Sequence, residues 1–317
     1  MILTDYFRST PDLCWDYAQQ CGVTHAVVRL PEDPEFDITD FSHWQQVYKR
    51  FSDRGLKPVV IEPMPNALHD HIKAGDAARD AAIEKVCKMF TYMNRLDIRT
   101  VCFNWMAHVG WLRTTDTIEE RGGALVTGFD LKQYVPGSQK ITADELWKNY
   151  EYFIRAVIGE AETQNIRLAL HPDDPPLSAL GQVERIMISL SNIQRAIHTV
   201  ESPNLGVTMC QATYRMMGED LPQAVRALAE KIFFIHFRNA SGSKTCFRET
   251  FHDNGQIPMA QMIRLYRQLG LDVPIRVDHV PLMAGETQET AGYTALGRLY
   301  AIGYLKGLLE AVEEEYV

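Results

Sequence analysis

The chain has 317 residues, 46% of them hydrophobic and 23% charged, the balance of an ordinary soluble enzyme with ample core. Its net charge of −9, without a basic stripe, argues against nucleic acid or an anionic membrane as a partner. No run approaches the roughly 18 apolar residues that span a membrane, and the opening MILTDYFRST lacks the basic and then apolar order of a secretory signal.

In chain order, the apolar stretch ILTDYF precedes a helix over PDLCWDYAQQ, for which Thr10 is the expected N-cap and Pro11 the first helical residue. THAVVRL reads as a second strand ending near Arg29. ITDFSHWQQVYKRFSDRG spaces Phe41, Trp44, Val47, Tyr48 and Phe51 as one helical face and stops at Gly55. KPVVIEP is a third strand ending at Glu62. A loop rich in Pro, Asn and His leads to the long helix DAARDAAIEKVCKMFTYMNRL, and IRTVCFNW is the fourth strand. From about Met106 to Ser138 no periodicity is visible, and an irregular stretch that long is expected to be a lid.

The second half repeats one design. A helix begins near Ala143; four short apolar runs then each carry a residue able to hold a metal at the C-terminal end: IRLALHP with His171, NLGVTMC with Cys210, IFFIHFRN with His236 and PIRVDHVP with Asp278. Helices near Val183–Val200 and Pro222–Lys231, then PMAQMIRLYRQLG, separate the runs, and a last amphipathic helix spans about Thr294 to Glu313. Runs of this kind read as strands buried on both faces, and the C-terminal end of such strands is where parallel α/β folds bind ligands. Taken singly, Cys210 would be core, His171 and His236 structural histidines and Asp278 a helix cap. Placement at the same end of four successive strands favours a site.

Eight strands alternating with eight helices predict parallel strands with right-handed crossovers closed into a single (β/α)8 TIM barrel carrying a lid-like loop at about 106–138. An open doubly wound sheet would need a G-x-G-x-x-G fingerprint after its first strand, and neither that nor a phosphate-cradling loop is present. On such a barrel His171, Cys210, His236 and Asp278 converge on one side of the mouth. By ligand softness alone the set suits zinc, iron or cobalt. Asp173, Asp174, Tyr214, Arg215, Arg238, Asn239 and His279 follow on the same loops as an acid/base and anion-binding shell. His43, His69, His71 and His198 read as surface or helix residues. The six cysteines include no Cys-x-x-Cys pair, so no disulfide framework is expected and the compartment is expected to be the reducing cytoplasm.

Several stretches resemble the D-mannonate dehydratases of hexuronate catabolism: IEPMPNALHDHIKAGDAARDAAIEKV, VCFNWMAHVGWLRT, LALHPDDPP, GVTMCQATY, IHFRN, ETFHDNGQIPM, RVDHVP and GYTALGR. The resemblance runs from about residue 60 to 300 and implies a xylose-isomerase-like barrel. It implies a metal, manganese first with iron or cobalt as alternatives, on His171, Cys210, His236 and Asp278. It also implies a hydro-lyase that converts D-mannonate to 2-keto-3-deoxy-D-gluconate and water. His279 and Tyr293 are then assigned to proton transfer, and Arg238, Asn239, His252, Asp253, Asn104, Trp105 and Arg113 to substrate binding. The chain departs from the family pattern at Val277, at Val280–Pro281 and at Trp105, changes expected around the pocket that bear on which aldonate fits. A homo-oligomer is expected. Two other readings are a sugar or sugar-acid isomerase or epimerase on the same metal-binding barrel, and a catalytically silent sugar-acid binder.

Overall fold

Eight parallel strands close a barrel in sequence order: β1 (Ile2–Arg8), β2 (His25–Arg29), β3 (Lys57–Ile61), β4 (Thr100–Asn104), β5 (Arg167–His171), β6 (Leu205–Cys210), β7 (Ile232–Phe237) and β8 (Pro274–Val277). β8 pairs with β1 through Ile2 and Pro274, which completes the ring. The coordinates are a computed structural model that describes residues 1–287 and 290–314.

Short apolar strands with both faces covered form this sheet because each inward side chain meets others inside the barrel while each outward one meets a helix. Val27, Val60, Cys102, Ala169, Phe233 and Phe234 make the inner cluster. The larger layer between strands and helices is built by α1 (Leu13–Gln20), α2 (Phe41–Ser52), α3 (Asn66–Ala74), α4 (Arg79–Arg95), α5 (Ala143–Thr163), α6 (Leu190–Ile197), α7 (Gln211–Met217), α8 (Leu221–Leu228), α9 (Met259–Gln268) and α10 (Ala295–Glu314). No helix among the described residues is long and apolar enough to cross a membrane.

Four local expectations change. Asp12, not Thr10, caps α1, its carboxylate accepting from the Cys14 backbone N–H at 2.8 Å; an ionised Asp is the better N-cap. The Pro, Asn and His loop holds α3, which ends at Gly75 in the left-handed conformation. His69 of α3 faces inward, fully buried against Phe103, Trp105 and Phe153. The segment read as helix from Val183 begins as a short strand, Gln182–Glu184, and turns helical only at Leu190, behind the N-cap Ser189.

The fourth change concerns the stretch read as irregular. Residues Thr115–Glu119 and Leu125–Asp130 form an antiparallel pair, and a hairpin inserted after β7, Ala240–Ser243 with Cys246–Glu249, adds to its edge. The result is a four-stranded antiparallel sheet at the C-terminal end of the barrel. Leu125 exchanges two backbone hydrogen bonds with Leu282, tying the sheet to the loop after β8. Pairing of this kind joins segments over a hundred residues apart, so local periodicity does not announce it.

Candidate active site

Strand register assembles the site. Asn104 lies level with His171 across β4 and β5, Cys210 level with His236 across β6 and β7, and His236 level with Arg276 across β7 and β8. Possible ligand atoms of His171, Cys210 and His236 fall within 4.8 Å of one another. Asp278, one residue past β8, sets Oδ2 3.5 Å from His236 Nδ1.

His171, Cys210 and Asp278 each have other hydrogen-bond partners, and His236 has none among the described residues. His171 Nδ1 lies 2.6 Å from the Pro172 carbonyl, which leaves Nε2 for the cavity. Burial lowers the His171 pKa below 6.5, in the direction of the neutral imidazole that ligates metals. Cys210 Sγ is faced by two donors, Thr213 Oγ1 at 3.1 Å and Arg238 Nη1 at 3.5 Å. Asp278 Oδ1 accepts from Arg276 Nη1 at 2.8 Å and from the Tyr293 hydroxyl at 3.2 Å, so Oδ2 is the oxygen turned to His236. Burial disfavours the Asp278 carboxylate, but Arg276 and His279 outweigh it and hold its pKa well below the usual range. Both ring nitrogens of buried His236 lack a hydrogen bond of acceptable geometry. One of them lies 2.9 Å from Glu62 Oε1, close but not aligned as a donor. A buried imidazole without hydrogen bonds beside a cysteine sulfur, a second imidazole and a carboxylate is a donor set that fits a divalent cation.

A second group, Glu62, Cys102 and His236, also has ligand atoms within 4.8 Å. It is the poorer candidate. Burial pushes the Cys102 thiol well above its ordinary pKa, and both Glu62 oxygens are taken by Arg276, at 2.8 and 2.9 Å, whose guanidinium would repel a cation there.

The site opens into a cavity of about 950 Å³ whose wall includes His171, His236, Asp278, His279, Tyr293 and Asn104. His279 and Tyr293 meet edge to face with ring centroids 5.4 Å apart, and Trp111 lies 4.9 Å from the His279 ring. His279 holds φ at +41°, a left-handed backbone that costs a non-glycine residue free energy and recurs at functional sites. Gly292 passes beneath it, where an added Cβ would stand 3.5 Å from His279 Cδ2.

The other residues assigned to substrate binding divide. Asn104 lines the cavity. Arg238 does too, but its guanidinium is engaged by Glu249, by Asp174 at 2.7 Å and by Thr213 at 3.3 Å, so it is no open clamp. Arg113 stands behind the wall, bridging Asp174 at 2.8 and 3.0 Å to Glu249 at 3.1 Å. Asn239 is structural: its amide donates to the His252 and Ile257 carbonyls and accepts from the Ala240 and Ile257 N–H groups. An added Cβ on Gly255 would strike Asn239 Oδ1 at 2.1 Å, which explains the glycine in the FHDNG stretch. His252 is buried on Phe237 with Nε2 2.8 Å from its carbonyl; Asp253 pairs with Arg121 at the rim. Trp105 is buried, stacked on Phe153, and donates to the Leu146 carbonyl. Val277 and Val280 sit in the hydrophobic core, so these departures do not form the cavity wall.

Four residues were missed. Glu62 follows β3 as Asp278 follows β8, a signal of the same kind. Arg276 stands two residues before Asp278 and so shares its strand face. Glu249 and Trp111 belong to the insertions; both lie in stretches that carry the family resemblance, ETFHDNGQIPM and VCFNWMAHVGWLRT, but no periodicity or strand-end placement points to them.

The profile of the family D-mannonate dehydratase (UxuA) matches residues 6–140 and 130–317. A mannonate dehydratase of Streptococcus agalactiae serotype Ia is 31% identical over 324 residues, covering 92% of this chain and 91% of the relative. One of Oceanobacillus iheyensis is 29% identical over 340 residues, covering 97% and 96%. The crystal structure of mannonate dehydratase from Streptococcus suis serotype 2 superimposes with a TM-score of 0.91 at 26% identity, over 100% of this chain and 96% of that one. An L-ribulose 3-epimerase shares the barrel alone, with a TM-score of 0.62 at 15% identity over 98% and 96% of the two chains. By the profile and by its relatives the chain belongs to the D-mannonate dehydratase family of hydro-lyases.

Proposed function

We propose that the protein dehydrates D-mannonate to 2-keto-3-deoxy-D-gluconate. The observation that carries this is the meeting of His171, Cys210 and His236 within 4.8 Å of one another, at a cavity whose wall includes His171, His236, Asp278, His279 and Tyr293. The substrate has a carboxylate at C1 and hydroxyls at C2 and C3. Removing the C2 proton and the C3 hydroxyl gives an enol, which tautomerises to the 2-keto acid; one water is released.

His171, Cys210, His236 and Asp278 would hold one divalent ion, manganese in this reading with iron or cobalt as alternatives. When bound, the ion supplies positive charge that acidifies the C2 hydrogen beside the carboxylate. The chain supplies the rest. The C3 hydroxyl leaves as water only with a proton, and the C2 proton needs an acceptor; His279 and Tyr293, edge to face, serve as the pair. Asn104 offers its amide to substrate hydroxyls from the β4 side. Trp111 over His279 shields the proton transfers from bulk water. The insertion at 106–138 acts as the lid that orders over bound substrate. Six free cysteines support a reducing, cytoplasmic setting.

The test is incubation of the manganese-loaded protein with D-mannonate and a panel of other aldonates. Appearance of the 2-keto-3-deoxy acid with mannonate preferred supports the reading. A new stereoisomer or ketose without loss of water would instead mark an isomerase or epimerase, and binding without turnover of any aldonate a silent binder.

A further inference from the structure

The buried ion-pair network behind the cavity uses a residue to which the mechanism above gives no role. Glu249 ends the second strand of the hairpin inserted after β7, and its side chain is 1% exposed. Its Oε1 lies 3.2 Å from His279 Nδ1. The same carboxylate accepts from Arg238 Nε at 2.9 Å and from Arg113 Nε at 3.1 Å. Burial by itself would favour the neutral acid, but Arg238 and Arg113 outweigh it and hold the Glu249 pKa below the usual carboxylate range. An ionised carboxylate is an acceptor only, so whatever faces it must bring a proton.

We propose that Glu249 is the positioning residue of His279: by accepting a hydrogen bond from Nδ1–H it fixes the ring orientation and leaves Nε2, 3.7 Å from Asp278 Oδ1, on the cavity side for the substrate. His279 needs such a partner. Its left-handed backbone gives the ring no help from regular secondary structure, and Gly292 and Trp111 restrict its plane without choosing which nitrogen carries the proton. A neutral imidazole exchanges protons at one nitrogen only, and a ring in the wrong tautomer would present N–H where a lone pair is required. Arg113, which holds Glu249, belongs to the segment inserted after β4, so the same contact joins the folding of that insertion to the orientation of the histidine. The inference rests on the proton-transfer role proposed for His279.

Two readouts test it. Nitrogen NMR of the histidine-labelled enzyme, with His279 assigned by its loss in His279→Asn, should show a proton on Nδ1; an Nδ1 without a proton overturns the inference without reference to activity. In Glu249→Gln one oxygen becomes a donor, so the Nδ1-protonated form should lose its dominance. kcat should fall roughly 10- to 100-fold, the usual effect of removing a histidine's orienting partner, with KM and bound metal little changed. Glu249→Asp keeps the charge between Arg113 and Arg238 but withdraws the acceptor, and it should give an intermediate kcat at a melting temperature near that of the parent. If either folded variant keeps both the parental kcat and the parental spectrum, Glu249 does not position His279. If His279→Asn itself keeps the parental kcat, the underlying role of His279 fails instead, while the tautomer in the parent spectrum is still decided.

Discussion

The two sides of the cavity are made by different means. On one, His171, Cys210 and His236 stand on or at the ends of barrel strands, and register alone puts Cys210 beside His236. On the other, His279 and Tyr293 come from the loop after β8, His279 has a left-handed backbone, and its ring meets Glu249 of an ion-pair network that two insertions help to build. The first side is built by the closed sheet, which tolerates little displacement. The second depends on Arg113, Asp174, Arg238 and Glu249, four charges buried together that each need the others. Metal holding and proton transfer should therefore fail separately.

The largest break in that comparison is on the strand side. His171→Ala and Cys210→Ala should abolish metal binding and, with it, dehydration. Metal analysis of the purified variants checks this, and unchanged metal content with full activity would remove both residues from the site. On the loop side, Tyr293→Phe should keep the metal and lose roughly 100-fold in kcat with little change in KM, the pattern of a group used in the transition state. A rise in KM alone would make Tyr293 a binding residue only.

Arg113→Met addresses the link between the two insertions. Removing one member of a buried ion pair costs roughly 3–5 kcal/mol, and Arg238 still faces both carboxylates, so about 3 kcal/mol is expected, read by chemical denaturation. The 106–138 segment should also become more sensitive to protease, and substrate should restore less protection than in the parent. Equal protection with and without aldonate in the parent would contradict the lid role.

The smallest effect expected is in the dependence of stability on pH. Burial pushes the His252 pKa down to about 4 from 6.5, so the fold favours its neutral form. That contribution is fully present above 6.5 and is lost as pH falls toward 4. Asp174 and Glu249 are depressed carboxylates, held low by their arginines against burial, so their contribution fades only below their unfolded values of 3.8 and 4.5. Melting curves of the parent and of His252→Gln should converge as the solution is acidified from pH 7 to 5, before the carboxylates titrate. A constant gap would show that His252 is not held neutral.

The barrel was legible because β-branched and apolar runs alternated with helical periodicity, and the candidate ligands because they repeated at one end of those runs, where the structure brings His171, Cys210 and His236 together. Glu62 follows β3 by the same rule and could have been read as part of the site, although Arg276 takes both its oxygens. What local pattern could not show was the sheet of two insertions, since Phe247 pairs with Phe129 across more than a hundred residues. Without that sheet Arg113 and Arg238 looked like substrate clamps. Asn239 and His252, from the most distinctive motifs, proved to hold backbone, because a motif marks a constraint and not which constraint it is.

The division is tested most directly where it falls between adjacent residues. Asp278→Asn and His279→Asn make the same amide one position apart, and Asn tolerates the left-handed backbone that His279 occupies. Metal content and the rate of mannonate dehydration should be measured together for both. Asp278→Asn should lose metal and rate, whereas His279→Asn should keep one metal ion per chain and show no turnover. Loss of metal from both, or dehydration by His279→Asn at the parent's rate, would contradict the separation of the two sides.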